Sequence, residues 1–579
     1  MVKYTGARPA TVPIWEQRWP GRLQFELDLL AEQALGDLTI DDEHLAKGQL
    51  RLNFAWPLAA GGQVDLEATY PSSFPRLRPH VRLKADPDTF PDRHVGPNGE
   101  LCLLGRDSGL WQAKTSLASL LTTNLEHALM NSGVEDPQGE PVEVWWNTAV
   151  RPEQPNFLLV DSAWDLSSLE GGGAELLYHF ELVNGYPRCQ AVVTKIWGDD
   201  PDHPVAERTF AIPPQLKSKG RLVQIAWRRD DDLPLPHQDR LQALLDRLDH
   251  RGRYERRAEG SVRVSLTVQR TELQHNTLGD GYICVVALTR GSKKNPKTHR
   301  FQVPVYRAGE TDIGHRVPAV ASFRKSRVLL VGAGALGSPL AVELARNGMA
   351  ALQVVDHDVV EPGNSIRWVI GAGAWGKQKS IAVSDHIQAE YPWTQVEPYD
   401  ANIGVAAATG DEVDLLAGLI EEADLVVDAS ASTGVTYHLS DECRRLEKTL
   451  VSLAATASLK GGTVTIYRPN SGCPACREHA YHDRQMPRAP GATDYSELTQ
   501  PPGCAENTFI GASFDLQELT LQAVRVVVDI LGGSEAYETS VVQTLSLHDG
   551  TRRTLPSWTE NPLPPSPMCG CATQSGSHH

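Results

Sequence analysis

The run Val328-Leu-Leu-Val331 leads into Gly332-Ala-Gly334-Ala-Leu-Gly337 and then into Ser338–Arg346, and this constrains the chain more than any other feature. Four consecutive apolar residues fit a strand buried on both faces, as in a parallel sheet. Glycines spaced G-x-G-x-x-G let the backbone turn tightly and approach a phosphate, and the free N–H groups at the start of a helix favour an anion. Leu352–Asp356 reads as the next strand, and Asp356, nineteen residues after Gly337, fits an acceptor for a ribose hydroxyl. Asp424–Asp428 and Leu450–Ala455 supply further strands, and Phe514–Leu531 a long amphipathic helix. On these residues alone, a dinucleotide such as NAD and a nucleoside triphosphate fit equally well.

The next residues separate the two. Asp356-His-Asp358 is followed by Asn364-Ser-Ile-Arg367 and Gly376-Lys-Gln-Lys379. Hydride transfer needs no Asn, Arg and Lys here, whereas a carboxylate attacking the α-phosphate of ATP needs its negative charge neutralised. D-x-D, N-x-x-R and G-x-x-K at these spacings resemble the ThiF-type adenylating family, which includes molybdopterin- and thiamine-pathway adenylyltransferases and ubiquitin-activating enzymes. The resemblance covers roughly Pro318–Cys571. It implies a Rossmann-like domain in which Gly332, Gly334, Gly337, Asp356, Asp358, Asn364, Arg367 and Lys379 bind ATP. The family usually ends the following strand with D-x-x-D-N, the last Asp holding Mg²⁺. This chain reads Asp428-Ala-Ser-Ala431, so Asp428 is either the substitute Mg²⁺ ligand or a strand-end cap.

Nine cysteines, an odd number spread over 579 residues, do not form a secreted disulfide framework. The start lacks an apolar signal core, and no run approaches the ~20 apolar residues of a membrane span, so a cytoplasmic location is expected. Cys473-Pro-Ala-Cys476 and Cys569-Gly-Cys571 form two close pairs suited to a tetrahedral Zn²⁺ site, a staple many members of the resembled family carry. The bland alternative is unpaired thiols in a tail. Cys504, in Pro-Pro-Gly-Cys-Ala-Glu-Asn, lies where activating enzymes carry the cysteine that attacks the acyl-adenylate, and its alternative is an inert thiol.

The N-terminal part opens with an apolar-periodic stretch, Trp15–Leu35, helical apart from a break at Pro20. Strand-like segments follow at Gln49–Trp56, Gln63–Ala68 and His80–Lys84, then a loop over Asp86–Gly99 and a helix over Leu117–Leu129. Tyr70-Pro71, Phe74-Pro75, Pro79 and Gly99-Glu-Leu-Cys102-Leu103, with Trp111 after them, resemble the ubiquitin-conjugating fold over roughly residues 15–130. The resemblance implies that Cys102 carries a thioester. The family's oxyanion-steadying Asn lies eight residues before the cysteine, where this chain has His94. His94 either donates that hydrogen bond or is a loop histidine without a role. A merely structural conjugating-like domain is the alternative for the region.

The expected architecture is α/β: a conjugating-like α+β domain over 1–150, an α+β linking domain without recognisable chemistry over 151–317, and the adenylating domain over 318–579. The middle carries strand-like runs at Glu175–Val183, Val262–Val268 and Tyr282–Leu288 and an amphipathic helix near Asp239–Asp249. A net charge of −17 argues against a nucleic-acid surface. The combined expectation is activation of a protein's C-terminal carboxylate as an acyl-adenylate, transfer to Cys504 and then Cys102, and conjugation to an amine. The fused order resembles antiphage (CBASS) ligases that act on a cGAS-like nucleotidyltransferase, and a bacterial ubiquitin-like protein is chemically as suitable. The resembled family commonly pairs its adenylating domains, which implies a homodimer. A sulfur-transfer adenylyltransferase and a non-enzymatic scaffold, for which Ala431 speaks, are the other two classes.

Overall fold

The computed structural model describes the chain apart from residues 1–14, 47–48, 60, 85–93, 97, 105–110, 131–155, 162–163, 209, 211, 234–240, 250–254, 258–259, 274–276, 293, 310–313, 315–316, 404–409, 495–510 and 572–579. It forms two compact units, Met1–Gly309 and Glu310–His579.

In the first unit, Pro20 opens the helix Pro20–Gln33, where its missing N–H costs nothing, and a separate turn, Trp15–Arg18, precedes it. Residues that the apolar periodicity assigns to the helix end give way to an exposed strand, Leu35–Ile40. It begins an antiparallel sheet continued by Arg51–Pro57, Gln63–Thr69 and His80–Leu83. Leu52, Phe54 and Trp56 alternate inward with Val64, Leu66 and Ala68 and share a core with the helix Leu117–Met130. Glu26, fully buried, accepts the Leu117 N–H at 3.0 Å and the Tyr70 hydroxyl at 3.2 Å, so one carboxylate caps that helix. Burial raises its pKa above the usual glutamate value, against the pull of the Leu117 amide, Arg22 and Tyr70.

The same unit holds a ten-stranded mixed sheet built around two long hairpins, Gly171–Val183 with Tyr186–Trp197 and Gly260–Leu273 with Thr277–Ser292. The helix Leu241–Leu248 lays Leu244, Leu245 and Leu248 on Ile283 and Val285. The α+β character expected of this region is therefore present.

The second unit has an eight-stranded sheet in the spatial order Gln395–Tyr399, Ala351–Val355, Arg327–Val331, Leu425–Asp428, Leu450–Ala455, Gly461–Tyr467, Val541–Asp549, Arg552–Pro562. The first five strands are parallel and the last three antiparallel additions. Val328 and Leu330 face one core, shared with the helices Gly337–Arg346 and Ser513–Leu531. Leu329 and Val331 face a second, shared with Gly410–Glu422 and Thr433–Arg445. Burial on both faces is why the strand reads as an unbroken apolar run. The strand order reverses between Arg327–Val331 and Leu425–Asp428, and open parallel sheets bind ligands at such a switch point, beyond the strands' C-terminal ends.

Candidate active site

Gly332 leaves the first strand at the switch point with φ +91°, and a Cβ there would lie 2.6 Å from the Ala429 carbonyl group. At Gly337 a Cβ would come within 1.8 Å of the Gly332 oxygen, so the helix start presses against the loop only because both positions are glycine. At Gly334, by contrast, no atom lies within 4 Å of the place a Cβ would take. The loop is thus closed underneath and open at its middle residue, as a cradle for an anion requires.

Asp356 follows the strand Ala351–Val355. Its Oδ2 accepts the Ala333 N–H at 2.7 Å and its Oδ1 the Asp358 N–H at 2.8 Å. Burial raises its pKa above the usual aspartate value, opposed by the two amides and by the Lys379 charge. The Lys379 amide donates to the Asp358 carbonyl, and Lys379 Nζ donates to Asp358 Oδ2 at 2.7 Å. This sets the lysine at the first turn of the helix Lys379–Glu390, beside the strand end. Asn364 Oδ1 accepts the Glu361 N–H at 3.0 Å, while its carbonyl accepts the amides of Arg367 and Trp368. The turn so formed presents Arg367 half-buried, and burial lowers the guanidinium pKa. A cation disfavoured by its surroundings gains from an anion placed beside it. The indole of Trp368, 7 % exposed, donates Nε1–H to the Ala333 carbonyl at 2.7 Å. Trp368 belongs to no sequence motif, and only the fold brings its ring to the glycine loop.

Asp428, 1 % exposed, has both oxygens occupied. Oδ1 accepts the Ser430 amide at 3.0 Å and its hydroxyl at 2.6 Å, while Oδ2 accepts the Thr436 hydroxyl at 2.5 Å and the Ser452 hydroxyl at 3.0 Å. A carboxylate has about four lone-pair sites, and four donors fill them. As arranged, Asp428 caps its strand and does not fit a Mg²⁺ ion. Ala431 adopts φ +61°, in the left-handed region that favours Asn, Asp and Gly.

Cys473, Cys476, Cys569 and Cys571 place their sulfurs within 4.8 Å of one another, with Sγ–Sγ distances of 3.8, 3.5 and 3.3 Å for Cys473–Cys476, Cys473–Cys569 and Cys476–Cys571. A tetrahedron with ~2.3 Å Zn–S arms has edges of about 3.8 Å, so the four thiols fit one Zn²⁺. The Ser566 amide donates to Cys476 Sγ at 3.1 Å, an outer contact that would orient a ligating thiolate.

In the first unit, the segment carrying Cys102 lies along the strand His80–Leu83. Leu101 donates to the Val81 carbonyl, and the Gly99 carbonyl accepts from Leu83. Gly99 has φ +79°, and a Cβ there would meet the Leu83 oxygen at 2.6 Å, which explains the glycine. Cys102 is half-buried and its amide donates to the His94 carbonyl at 2.8 Å. The His94 ring, 4 % exposed, stands 5.7 Å from that of His127 on the helix Leu117–Met130. Trp111 donates to the Pro75 carbonyl at 2.9 Å, tying the two ends of the region together. Cys504 lies outside the described residues.

Residues 311–562 match the ThiF family. The chain is 44 % identical over 561 residues to the uncharacterized protein y4qC of Sinorhizobium fredii, an alignment covering 94 % of this chain and 96 % of that protein. A second protein of the same organism, y4oA, is 28 % identical over 603 residues, covering 97 % of this chain and 98 % of its own length. The adenylyltransferase and sulfurtransferase MOCS3 of Arabidopsis thaliana is 34 % identical over 162 residues, 28 % of this chain and 33 % of that protein. The solved structure of E. coli MccB with MccA matches at TM-score 0.34 and 16 % identity, over 45 % of this chain and 71 % of that one.

Proposed function

Starting from a chain that belongs to one family with y4qC of Sinorhizobium fredii and carries a ThiF-family adenylyltransferase-type domain in its C-terminal part, we propose that it uses ATP to activate the C-terminal carboxylate of a protein. The carboxylate oxygen attacks the α-phosphorus, the bond to the bridging β-oxygen breaks, and pyrophosphate leaves. The Cys504 thiolate then attacks the acyl carbon and AMP departs. The Cys102 thiolate takes the acyl group from Cys504. An amine finally attacks that thioester, giving an amide and returning the thiol.

One observation carries the first step: Gly334, Asp356, Arg367 and Lys379 come from four separate stretches of chain that hydrogen bonds tie together beyond the strand ends. The loop N–H groups hold phosphate, Asp356 accepts a ribose hydroxyl, and Arg367 and Lys379 offset charge as pyrophosphate forms. Zn²⁺ held by Cys473, Cys476, Cys569 and Cys571 supplies rigidity and no chemistry. Support for the later steps is the half-buried Cys102, with the His94 backbone beside it in place of the expected Asn. The fused order favours a cGAS-like nucleotidyltransferase in antiphage defence, or a ubiquitin-like protein, as carboxylate donor, handled by a cytoplasmic homodimer.

Pyrophosphate exchange into ATP by the purified chain, supplied with candidate C-terminal peptides, tests the proposal. Exchange that depends on the peptide carboxylate is expected, and NAD binding without ATP binding would overturn it. The partial match to MOCS3 favours sulfur transfer as a second reading, whose mark would be a persulfide on Cys504 in place of a protein thioester.

A further inference from the structure

The two peptide groups that flank Ala333, at the centre of the glycine loop, are each held by a side chain. Asp356 Oδ2 accepts the Ala333 N–H at 2.7 Å, which fixes the Gly332–Ala333 peptide, and Trp368 Nε1–H donates to the Ala333 carbonyl at 2.7 Å, which fixes the Ala333–Gly334 peptide. A trans peptide is planar, with its C=O and the following N–H pointing in opposite directions. Fixing the Ala333 carbonyl therefore fixes the Gly334 N–H, which points away from the indole. No described residue accepts from that N–H, and the space over Gly334 is open within 4 Å. A loop donor without a partner among the described residues is thus aimed by a side chain 35 residues away in sequence.

The same indole sits on the turn that presents Arg367. The amides of Arg367 and Trp368 both donate to the Asn364 carbonyl, at 3.0 and 2.9 Å, so the arginine and the tryptophan move as one piece. Through its ring, that piece is fastened to the glycine loop.

We propose that Trp368 is a positioning residue for the nucleotide, orienting the Gly334 N–H and setting the distance of Arg367 from the loop. This rests on the ATP reading given above. Trp368 touches no reacting atom, and its effect is exerted through the Ala333–Gly334 peptide. The loss of its hydrogen bond lets that peptide rotate and the Arg367 turn drift, so ATP binds more weakly even though the fold survives.

The experiment is calorimetric titration of the full chain with ATP, alongside thermal unfolding. Trp368→Phe keeps most of the ring and removes the donor. The dissociation constant for ATP is expected to rise about tenfold, the scale of one well-made hydrogen bond, with the unfolding temperature within a few degrees of wild type. Trp393→Phe is the control. Trp393 Nε1 donates to the Ala345 carbonyl at 2.7 Å, a bond of the same kind at the far end of the helix, and its loss should leave ATP affinity unchanged. If Trp368→Phe does not fold, benzothienylalanine at 368 keeps the ring shape without the N–H and should give the same tenfold loss. Equal ATP affinity in wild type and donor-less variant, or equal weakening by the Trp393 control, overturns the inference and leaves the ATP reading standing. A wild-type chain that does not bind ATP sinks both.

Discussion

Lys379 is tied to Asp358 twice, amide to carbonyl at 2.8 Å and ammonium to carboxylate at 2.7 Å. The backbone bond starts the helix, and the side-chain bond holds Nζ at the strand end, with the lysine side chain only 13 % exposed.

Replacing Lys379 with Ala should therefore reduce pyrophosphate exchange by about a hundredfold or more, the usual cost of a lost charge-stabilising group. Asp358 is half exposed, and such ion pairs contribute about 0–1 kcal/mol, so the unfolding temperature should barely move. Arg367→Ala should behave alike. Retained exchange in both variants would remove these residues from the phosphate site.

Asp356 gives a pH dependence. Its folded pKa is raised by burial, so the stability it contributes is fully present below the ordinary aspartate value and is lost as pH rises through the folded value. Nucleotide binding runs the other way, because only the ionised carboxylate accepts both the Ala333 amide and a ribose hydroxyl. ATP affinity should fall on acidification through a pKa above that of an ordinary aspartate, and Asp356→Asn should flatten that limb. Titrations across the acid range would expose a limb that persists in the variant and so belongs to another group.

Asp428→Ala strands the buried Ser452 hydroxyl and removes the acceptor of both Ser430 donors, whereas the Thr436 hydroxyl keeps the Ser432 carbonyl at 3.1 Å. A loss of about 1–3 kcal/mol of stability is expected from the one buried hydroxyl left unsatisfied. The Mg²⁺ dependence of exchange per folded molecule should not change. A shift in that dependence would show that the carboxylate releases its donors to take the ion.

One zinc per chain should copurify, and Cys473→Ser should lower the unfolding temperature more than it lowers exchange per folded molecule. Metal analysis of fresh protein decides it.

The two proposed acyl carriers predict different blocks. Cys504→Ala should still exchange pyrophosphate yet load neither cysteine, and Cys102→Ala should accumulate a thiol-sensitive adduct on Cys504 without amide product. Loading of Cys102 at the wild-type rate in Cys504→Ala would make Cys504 a bystander.

Much of the second unit was legible because its physics is local. Arg327–Val331, the glycine loop and Gly337–Arg346 announce themselves through an apolar run, three glycines and helical spacing, and Leu450–Ala455 is found at the bounds the sequence indicates. Exposed edges were not legible. Leu35–Ile40 and Arg552–Pro562 bury almost nothing, so no alternation marks them as strands. Within the site, charged residues at fixed spacings could be read, whereas Trp368 could not, because its partner is a backbone carbonyl that only folding brings near. Asp428 was legible as a carboxylate at a strand end. Its closure by Thr436 and Ser452, eight and twenty-four residues on, was not.

The four clustered thiols join positions 96 and 95 residues apart, so an ion shared among them closes the chain into a ring. Inside that ring lie the segment with Cys504, the helix Ser513–Leu531, the strand Val541–Asp549 and the edge strand Arg552–Pro562. An exposed edge strand ordinarily frays first. Closed into a ring, it cannot peel away without the sulfur cluster opening too, and fraying becomes a concerted event. Amide exchange along Arg552–Pro562 should then report the state of four sulfurs that the strand itself does not contain.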